Sequence, residues 1–121
     1  MRLYYMTLIS THTTDVPTAI HLCDAADDLY DYLHSIAPDS CPYEALQEVV
    51  DNYILYYVRI AIYYRTLFII DKNEIRTNIL INHLVDGLGF DFEKIDVTML
   101  LAISIRAQQT TLCYTKSRYL R

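Results

Sequence analysis

The scarcity of chain breakers is the feature that most limits what this sequence can fold into. Its 121 residues contain only 2 glycines and 3 prolines. An all-β sandwich or barrel needs a turn about every 8–12 residues, and turns draw heavily on glycine and proline. The sequence therefore predicts an all-α fold of long helices joined by short links. The length predicts a single domain over residues 1–121.

Composition and charge argue against several classes of protein. Hydrophobic residues make up 53% of the chain, which is not the composition of a disordered protein. The 10 basic and 15 acidic side chains give a net charge of −5, which argues against a nucleic-acid partner. The 3 cysteines include no CxxC pair, and no secretory leader is recognisable. We therefore expect reduced thiols, with one disulfide and a spare thiol as the alternative.

Apolar spacing predicts a first long helix over residues 18–36, because apolar side chains recur there mostly every three residues. The preceding residues 1–10 fit either a strand or a short helix. Acidic side chains fall mainly on the opposite face of the predicted helix, which indicates a solvated acidic surface formed by Asp24, Asp27, Asp28 and Asp31.

The longest helix is predicted from Tyr43 to about Ile70, where two adjacent apolar rows indicate burial over a wide arc. Residues 53–70 are long and apolar enough to suggest a membrane span. However, Arg59 and Arg65 would each cost about 2.5–3.5 kcal/mol at the middle of a bilayer. We therefore expect no transmembrane anchor. A strand over 66–70 is an alternative for the end of this segment.

The second half of the chain predicts a turn at residues 71–73 and a short helix over 74–85. Both glycines follow, in the sharpest break of the chain, at Gly87 and Gly89. Asp91 is then the predicted N-cap of a helix that is apolar nearly all round. A helix of this composition is expected to be central and fully enclosed.

No arrangement typical of an enzyme occurs in the sequence. It has no P-loop, no GxSxG elbow and no dinucleotide-binding fingerprint, and no nucleophile–base pair is identifiable. The four histidines form neither HxxxH nor HExxH, so we expect no metal site and no cofactor. The tyrosines between residues 53 and 64 cover more than one face of their helix, which fits core packing or a groove wall.

Two segments resemble homology motifs of the Bcl-2 family of apoptosis regulators. The first, residues 45–57, is similar to the third homology motif of that family. In it, Leu46 is followed four residues later by Val50, then by Asp51 and, two residues on, by Tyr53. Val50 departs from the usual Gly or Ala and would crowd a partner helix, so this segment is not expected to act as an exposed death ligand.

The second segment, residues 84–107, is similar to the first homology motif, where an Asp-Gly turn leads into Asn-Trp-Gly-Arg and the central hydrophobic helix. Phe92 takes the Trp place, Glu93 the Gly place and Lys94 the Arg place. The second homology motif is missing, and only 14 residues follow Ala107. So short and divergent a chain looks like a viral member of the family. A family member truncated at its C-terminus would look the same.

The resemblance implies a Bcl-2-like helical bundle around a central hydrophobic helix at about residues 92–107, shortened at the C-terminus. It implies an inhibitor of apoptosis that binds the death-motif helix of pro-apoptotic proteins (the Bim, Bak or Bax class) in a hydrophobic groove. A viral protein of the same fold that blocks innate-immune signalling, and a small helical structural protein, are the alternatives. The implied location is the host-cell cytoplasm, with mitochondrial association left open, and the groove surface is a candidate homodimer contact.

Carried over residue by residue, the groove takes one wall from the longest helix and a second wall from the helix that faces it. Lys94 would replace the Arg that pairs with the Asp of the death motif, and Asp91 would place a negative charge near that same Asp. A lysine offers a point charge instead of a bidentate fork, so a narrower or weaker set of partners is implied. The implied groove residues are Tyr53, Tyr57, Ile60, Ala61, Tyr64, Ile79, His83, Asp91, Phe92 and Lys94.

Overall fold

A computed structural model describes residues 2–12, 16–63 and 69–107, without the side chains of residues 17–18, 60–63 and 69–73. These residues form helices, with no strand in the described ranges, so the all-α prediction is confirmed for them. A π-helical turn and a 3₁₀ turn interrupt the second half. The elements are α1 (Arg2–Ser10), α2 (Val16–Ile36), α3 (Tyr43–Tyr63), α4 (Ile69–Asn82), the π turn His83–Gly87, the 3₁₀ turn Phe92–Lys94 and α5 (97–107).

The core lies where α1, α2 and α3 meet, and the π turn and α5 add to it. Residues 2–10 are helical, so the strand alternative is wrong for them. Helix α2 ends at Ile36 and α3 begins at Tyr43, as the sequence predicts. The largest fully buried side chains are Tyr5, Ile9, Leu22, Leu29, Leu33, Leu46, Val50, Ile54, Tyr57, Val58, Leu84 and Leu100.

Helix α4 begins earlier than the sequence predicts. The turn expected at residues 71–73 is wrong, because these residues lie in the first turns of α4. Asp71 is the third residue of this helix. Lys72 and Asn73 each cost less than about 0.7 kcal/mol in a helix, and neither glycine nor proline lies between Pro42 and Gly87 to stop one.

The predicted end of the longest helix, at about Ile70, is only partly within the described ranges. Residues 64–68 lie outside them, and with them most of the strand alternative for 66–70. Ile69 and Ile70 are helical, so that alternative is wrong for these two residues. In the described part of the chain, no helix combines the length and the apolar character that crossing a bilayer requires.

The two glycines play different roles in the break after α4. Gly89 has a φ of 75°, a left-handed conformation that favours glycine, and it ends the helical run. The amide of the next residue, Phe90, donates to the carbonyl oxygen of Leu84 at 2.9 Å and closes the end of the π turn. Gly87 lies inside that turn. A Cβ atom at this position would lie 3.0 Å from the His83 Nδ1 atom.

The cap of the apolar helix is Asp96, so the prediction of Asp91 is wrong. Asp91 Oδ1 accepts a hydrogen bond from the Glu93 amide at 3.0 Å and caps the 3₁₀ turn. Ile95 is extended, with φ −82° and ψ 117°, so no helix runs through it. Asp96 Oδ1 then accepts from the Met99 amide at 3.1 Å, and α5 begins at residue 97 instead of 92.

Helix α5 is buried on one face only, so the prediction of a fully enclosed helix is wrong. Leu100, Ser104 and Ala107 are buried, whereas Val97 and Met99 are 40% and 46% exposed. The physical reason is that neighbouring helices cover the face of Ser104, which contacts Tyr53 of α3 and Thr77 of α4, and leave Met99 and Ile105 partly exposed. Apolar composition alone therefore overestimated its burial.

The acidic surface of α2 is only partly solvated, which corrects the prediction for it. Arg2 of α1 forms ion pairs with Asp24 and, at 3.2 Å, with Asp27. Arg106 of α5 forms ion pairs with Asp28 and, at 3.6 Å, with Asp24. The acidic row thus joins α1 and α5, which lie at opposite ends of the described chain, to α2.

Candidate functional site

A cleft of about 170 Å³ lies between α3 and α4. Its floor is apolar, since Val49, Tyr53 and Leu80 are buried. Polar and half-exposed side chains form its rim. The lining residues are Val49, Asn52, Tyr53 and Tyr56 from α3, Arg76, Ile79 and Leu80 from α4, and His83 from the π turn.

Tyr53 supplies the floor of the cleft with its ring, and its hydroxyl group is buried beneath. The hydroxyl oxygen lies 2.6 Å from Ser104 Oγ of α5 and 3.2 Å from Thr77 Oγ1 of α4. Those two oxygens are 3.3 Å apart, which completes a triangle of hydroxyl groups. The triangle joins three helices directly below the cleft, so the position of the Tyr53 ring is tied to α4 and α5.

Arg76 gives the rim of the cleft a positive charge. Its guanidinium carbon lies 3.9 Å from the centre of the Tyr56 ring, in a cation–π contact. No carboxylate pairs with Arg76 among the side chains that the structure describes. On the same helix, Ile75 and Ile79 are 58% and 51% exposed, so apolar surface continues beside the cleft.

The cleft brings together three of the residues that the family resemblance implies for the groove, namely Tyr53, Ile79 and His83. Tyr57 is instead buried in the core, where burial raises the pKa of its hydroxyl group above the ordinary value. Ile60 and Ala61 belong to α3, but their side chains are not among those described, and Tyr64 lies outside the described residues.

The residues of the first homology motif do not line this cleft. Asp91 caps the 3₁₀ turn, and Phe92 and Lys94 are exposed on that turn. The buried aromatic side chain of this segment is Phe90, two residues before the position that matches the motif's Trp. The cation at the cleft is therefore Arg76, and Lys94 is not part of it.

The residues of the third homology motif are built into helix contacts. Leu46 and Val50 are buried in the core, and the Tyr4 hydroxyl of α1 donates to Asp51 Oδ2 at 2.6 Å. Burial raises the pKa of the Asp51 carboxyl group, and the hydrogen bond from Tyr4 opposes that shift. The other oxygen, Asp51 Oδ1, is buried without a hydrogen-bond partner. Asp51 thus joins α1 to α3.

The sequence did not predict Val49, Asn52, Arg76 or Leu80 as lining residues, and it left Tyr56 open between core packing and a groove wall. A signal for Arg76 was present, because it precedes Ile79 by three residues and His83 by seven and so shares their helix face. The family motif suggests Lys94 as the cation instead. Asn52 and Tyr56 flank Tyr53 on α3, but only the pairing of α3 with α4 identifies them as lining residues.

The described residues contain no group of three or more His, Cys, Asp or Glu side chains placed to hold a metal ion. The cleft offers an apolar floor, a cation and aromatic faces, which is the chemistry of binding. Comparison with known proteins finds no matching family model, no matching curated protein and no matching solved structure.

Proposed function

We propose that this protein inhibits apoptosis by binding the death-motif helix of a pro-apoptotic protein at the cleft between α3 and α4. The observation that carries the proposal is the pairing of an apolar floor with an arginine on the rim. An amphipathic helix with apolar anchors and an acidic residue is the ligand that such a surface fits. The two motif resemblances supply the identity of the partner, and the host-cell cytoplasm as the site of action.

The volume of the cleft limits how many side chains of the partner helix can enter it. A cavity of about 150 Å³ can hold a benzene ring. A cleft of about 170 Å³ therefore takes one large side chain of the partner helix. The remaining anchors rest on the exposed apolar surface of Ile75 and Ile79. One inserted anchor with flanking contacts makes a small interface, so we expect modest affinity.

Arg76 supplies the polar part of recognition. A guanidinium group can donate two parallel hydrogen bonds to one carboxylate, which fixes orientation as well as charge. In this proposal the Asp of the death motif pairs with Arg76, while Tyr56 holds the guanidinium plane from behind. The arginine thus takes the role that the family resemblance gave to Lys94.

Calorimetric titration of the full chain with a synthetic death-motif peptide tests the proposal. We expect binding that weakens about tenfold when the peptide's Asp is replaced by Ala, and similarly for the Arg76→Glu variant. Lys94→Glu is the matched control, because it reverses an exposed charge outside the cleft, and we expect less than a twofold effect. No binding by the unaltered chain, or equal losses for both variants, would overturn the assignment of this cleft.

One observation favours the second candidate, a protein of the same class that blocks innate-immune signalling. Tyr53, whose hydroxyl group is held by its partners, fills the space beneath the cleft, and the buried ring of Tyr57 packs edge-on against it at 5.7 Å between ring centres. A filled groove is typical of that class. For this candidate we expect no binding of the death-motif peptide, together with suppression of an innate-immune reporter gene in transfected cells.

A further inference from the structure

A second and larger groove, of about 420 Å³, lies between α2 and α5. On the α2 side its residues follow at intervals of three, one and three positions, which places them along one stripe of that helix. On the α5 side they are two residues one turn apart. The lining residues are Asp28, Asp31, Tyr32, Ser35, Met99 and Ile103.

The rim of this α2–α5 groove is acidic. Asp28 shares its carboxylate with Arg106, which also reaches Asp24. Asp31 is exposed, and no cation among the described residues pairs with it. The groove therefore carries more negative than positive charge at its edge.

The floor of the α2–α5 groove is apolar and well supported. Met99 is half-exposed, and Ile103 lies one turn further along α5. Tyr32 is fixed at both ends. Its hydroxyl oxygen accepts a hydrogen bond from the Asp96 amide, and its carbonyl oxygen accepts one from the Ser35 hydroxyl at 2.6 Å. A supported apolar floor with an acidic rim presents a fixed surface to a ligand.

We propose that the α2–α5 groove binds a basic amphipathic helix of a partner protein. Ser35 lies seven positions after Asp28 in α2, which at 1.5 Å per residue gives the groove a length of about 10 Å, or two helical turns. Apolar side chains of the partner rest on Met99 and Ile103, and its Lys or Arg side chains pair with Asp31 and Asp28. This surface has the opposite charge to the α3–α4 cleft and is independent of the function proposed there.

The acidic rim of the α2–α5 groove argues against two other ligands, a second copy of this chain and a nucleic acid. Two copies of this chain, each with a net charge of −5, would bring two acidic rims together if they met at this groove. Nucleic acids carry a negative backbone and would be repelled in the same way. A cationic protein segment is the partner whose charge complements the groove.

Fluorescence anisotropy with two matched synthetic peptides tests this proposal on the full chain. Both peptides are amphipathic 18-residue helices with the same leucine face, one carrying Lys and the other Glu on its polar face. We expect the Lys peptide to bind, more weakly as salt rises, and the Glu peptide not to bind. Met99→Lys should weaken binding of the Lys peptide at least tenfold, and Asp31→Asn about two- to fivefold.

Val16→Lys is the matched control, since it places the same charge on an exposed apolar residue at the start of α2, outside both this groove and the α3–α4 cleft. Its binding of the Lys peptide should change less than threefold, and thermal melts should find all variants folded. Equal binding of the two peptides, or equal losses for Met99→Lys and Val16→Lys, would overturn the proposal. So would a tenfold gain when Lys116, Arg118 and Arg121 are all replaced by Gln, because this chain's own cations would then be the occupant.

Discussion

Helix α5 is attached to its neighbours in two opposite ways. Toward α3 and α4 it is held by a buried triangle of hydroxyl groups around Tyr53. Toward α2 it is held by ion pairs of Arg106 at the surface. Buried hydrogen-bonding groups are costly to leave without a partner, whereas exposed ion pairs contribute little and are screened by salt. The buried triangle therefore fixes α5 against α3 and α4, whereas the surface ion pairs with α2 can open when a ligand binds.

The two candidate binding surfaces, on these two sides of the molecule, also differ in size and in charge. The α3–α4 cleft is small, floored by apolar side chains and edged by the Arg76 cation. The α2–α5 groove is larger and edged by the carboxylates of Asp28 and Asp31. One small protein thus offers an acidic ligand and a basic ligand separate places to bind.

Leu100 and Met99 are neighbours on α5, and they lie on its buried face and on its exposed face, respectively. Leu100 is fully buried and Met99 is half-exposed. We expect Leu100→Ala to lower the free energy of unfolding by about 2–5 kcal/mol, because it leaves a cavity in the core. Met99→Ala should change it by no more than about 0.5 kcal/mol. Urea denaturation of both variants measures the contrast, and equal losses would contradict the orientation of α5.

Tyr53→Phe tests the buried attachment directly. The substitution removes the hydroxyl group that both Thr77 and Ser104 contact, while those two groups still contact each other. We expect the free energy of unfolding to fall by about 1–2 kcal/mol. Tyr43→Phe, at an exposed ring, is the matched control and should cost less than about 0.5 kcal/mol. A Tyr53 variant as stable as this control would mean that the triangle contributes nothing.

Arg106→Gln tests the surface attachment in the same assay. Arg106 bridges Asp24 and Asp28, both of which are partly exposed. We expect a loss of no more than about 1 kcal/mol at low salt. Because an exposed pair is screened, the difference from the unaltered chain should disappear near 1 M NaCl, whereas that of Tyr53→Phe should persist. A loss of stability that salt does not reduce would mean that the Arg106 ion pairs behave as buried contacts.

Asp51 allows a fourth and smaller test, because it is a partly buried carboxylate whose hydrogen-bond donor, Tyr4, is neutral. Burial raises its pKa, so the folded chain holds this proton more tightly than the unfolded chain does. Its contribution to stability therefore falls as pH rises from about 4, the ordinary carboxyl value, through the raised pKa. Relative to Asp51→Asn, the unaltered chain should lose stability over that window in urea titrations at several pH values. A relative gain would mean that the pKa is lowered instead.

Elements fixed by local sequence could be predicted. Pro38 and Pro42 separate α2 from α3, and apolar spacing gives both helices their buried faces. The cap of α5 could not be predicted in this way, because Asp91 and Asp96 are equally good capping residues. The choice depends on the extended Ile95 and on the Tyr32 hydroxyl, which reaches the Asp96 amide from 64 residues away.

The candidate site likewise combines residues that the sequence pattern suggests with residues that only the packing of helices identifies. Ile79 and His83 follow from helical spacing, and Tyr53 from the apolar row of α3, so a sequence can suggest them. The role of Arg76 depends on which face of α4 meets α3, and that contact is set by packing. The burial of Tyr57 and the solvent exposure of Lys94 have the same origin.

A charge-swap titration tests the central claim, that Arg76 pairs with the acidic residue of a helix bound at the α3–α4 cleft. The unaltered chain and Arg76→Glu are each titrated with a death-motif peptide and with the same peptide carrying Lys in place of its Asp. The account predicts that each single change weakens binding about tenfold and that the two changes together restore at least half of that loss in free energy. Additive losses, with no recovery in the double swap, would contradict it.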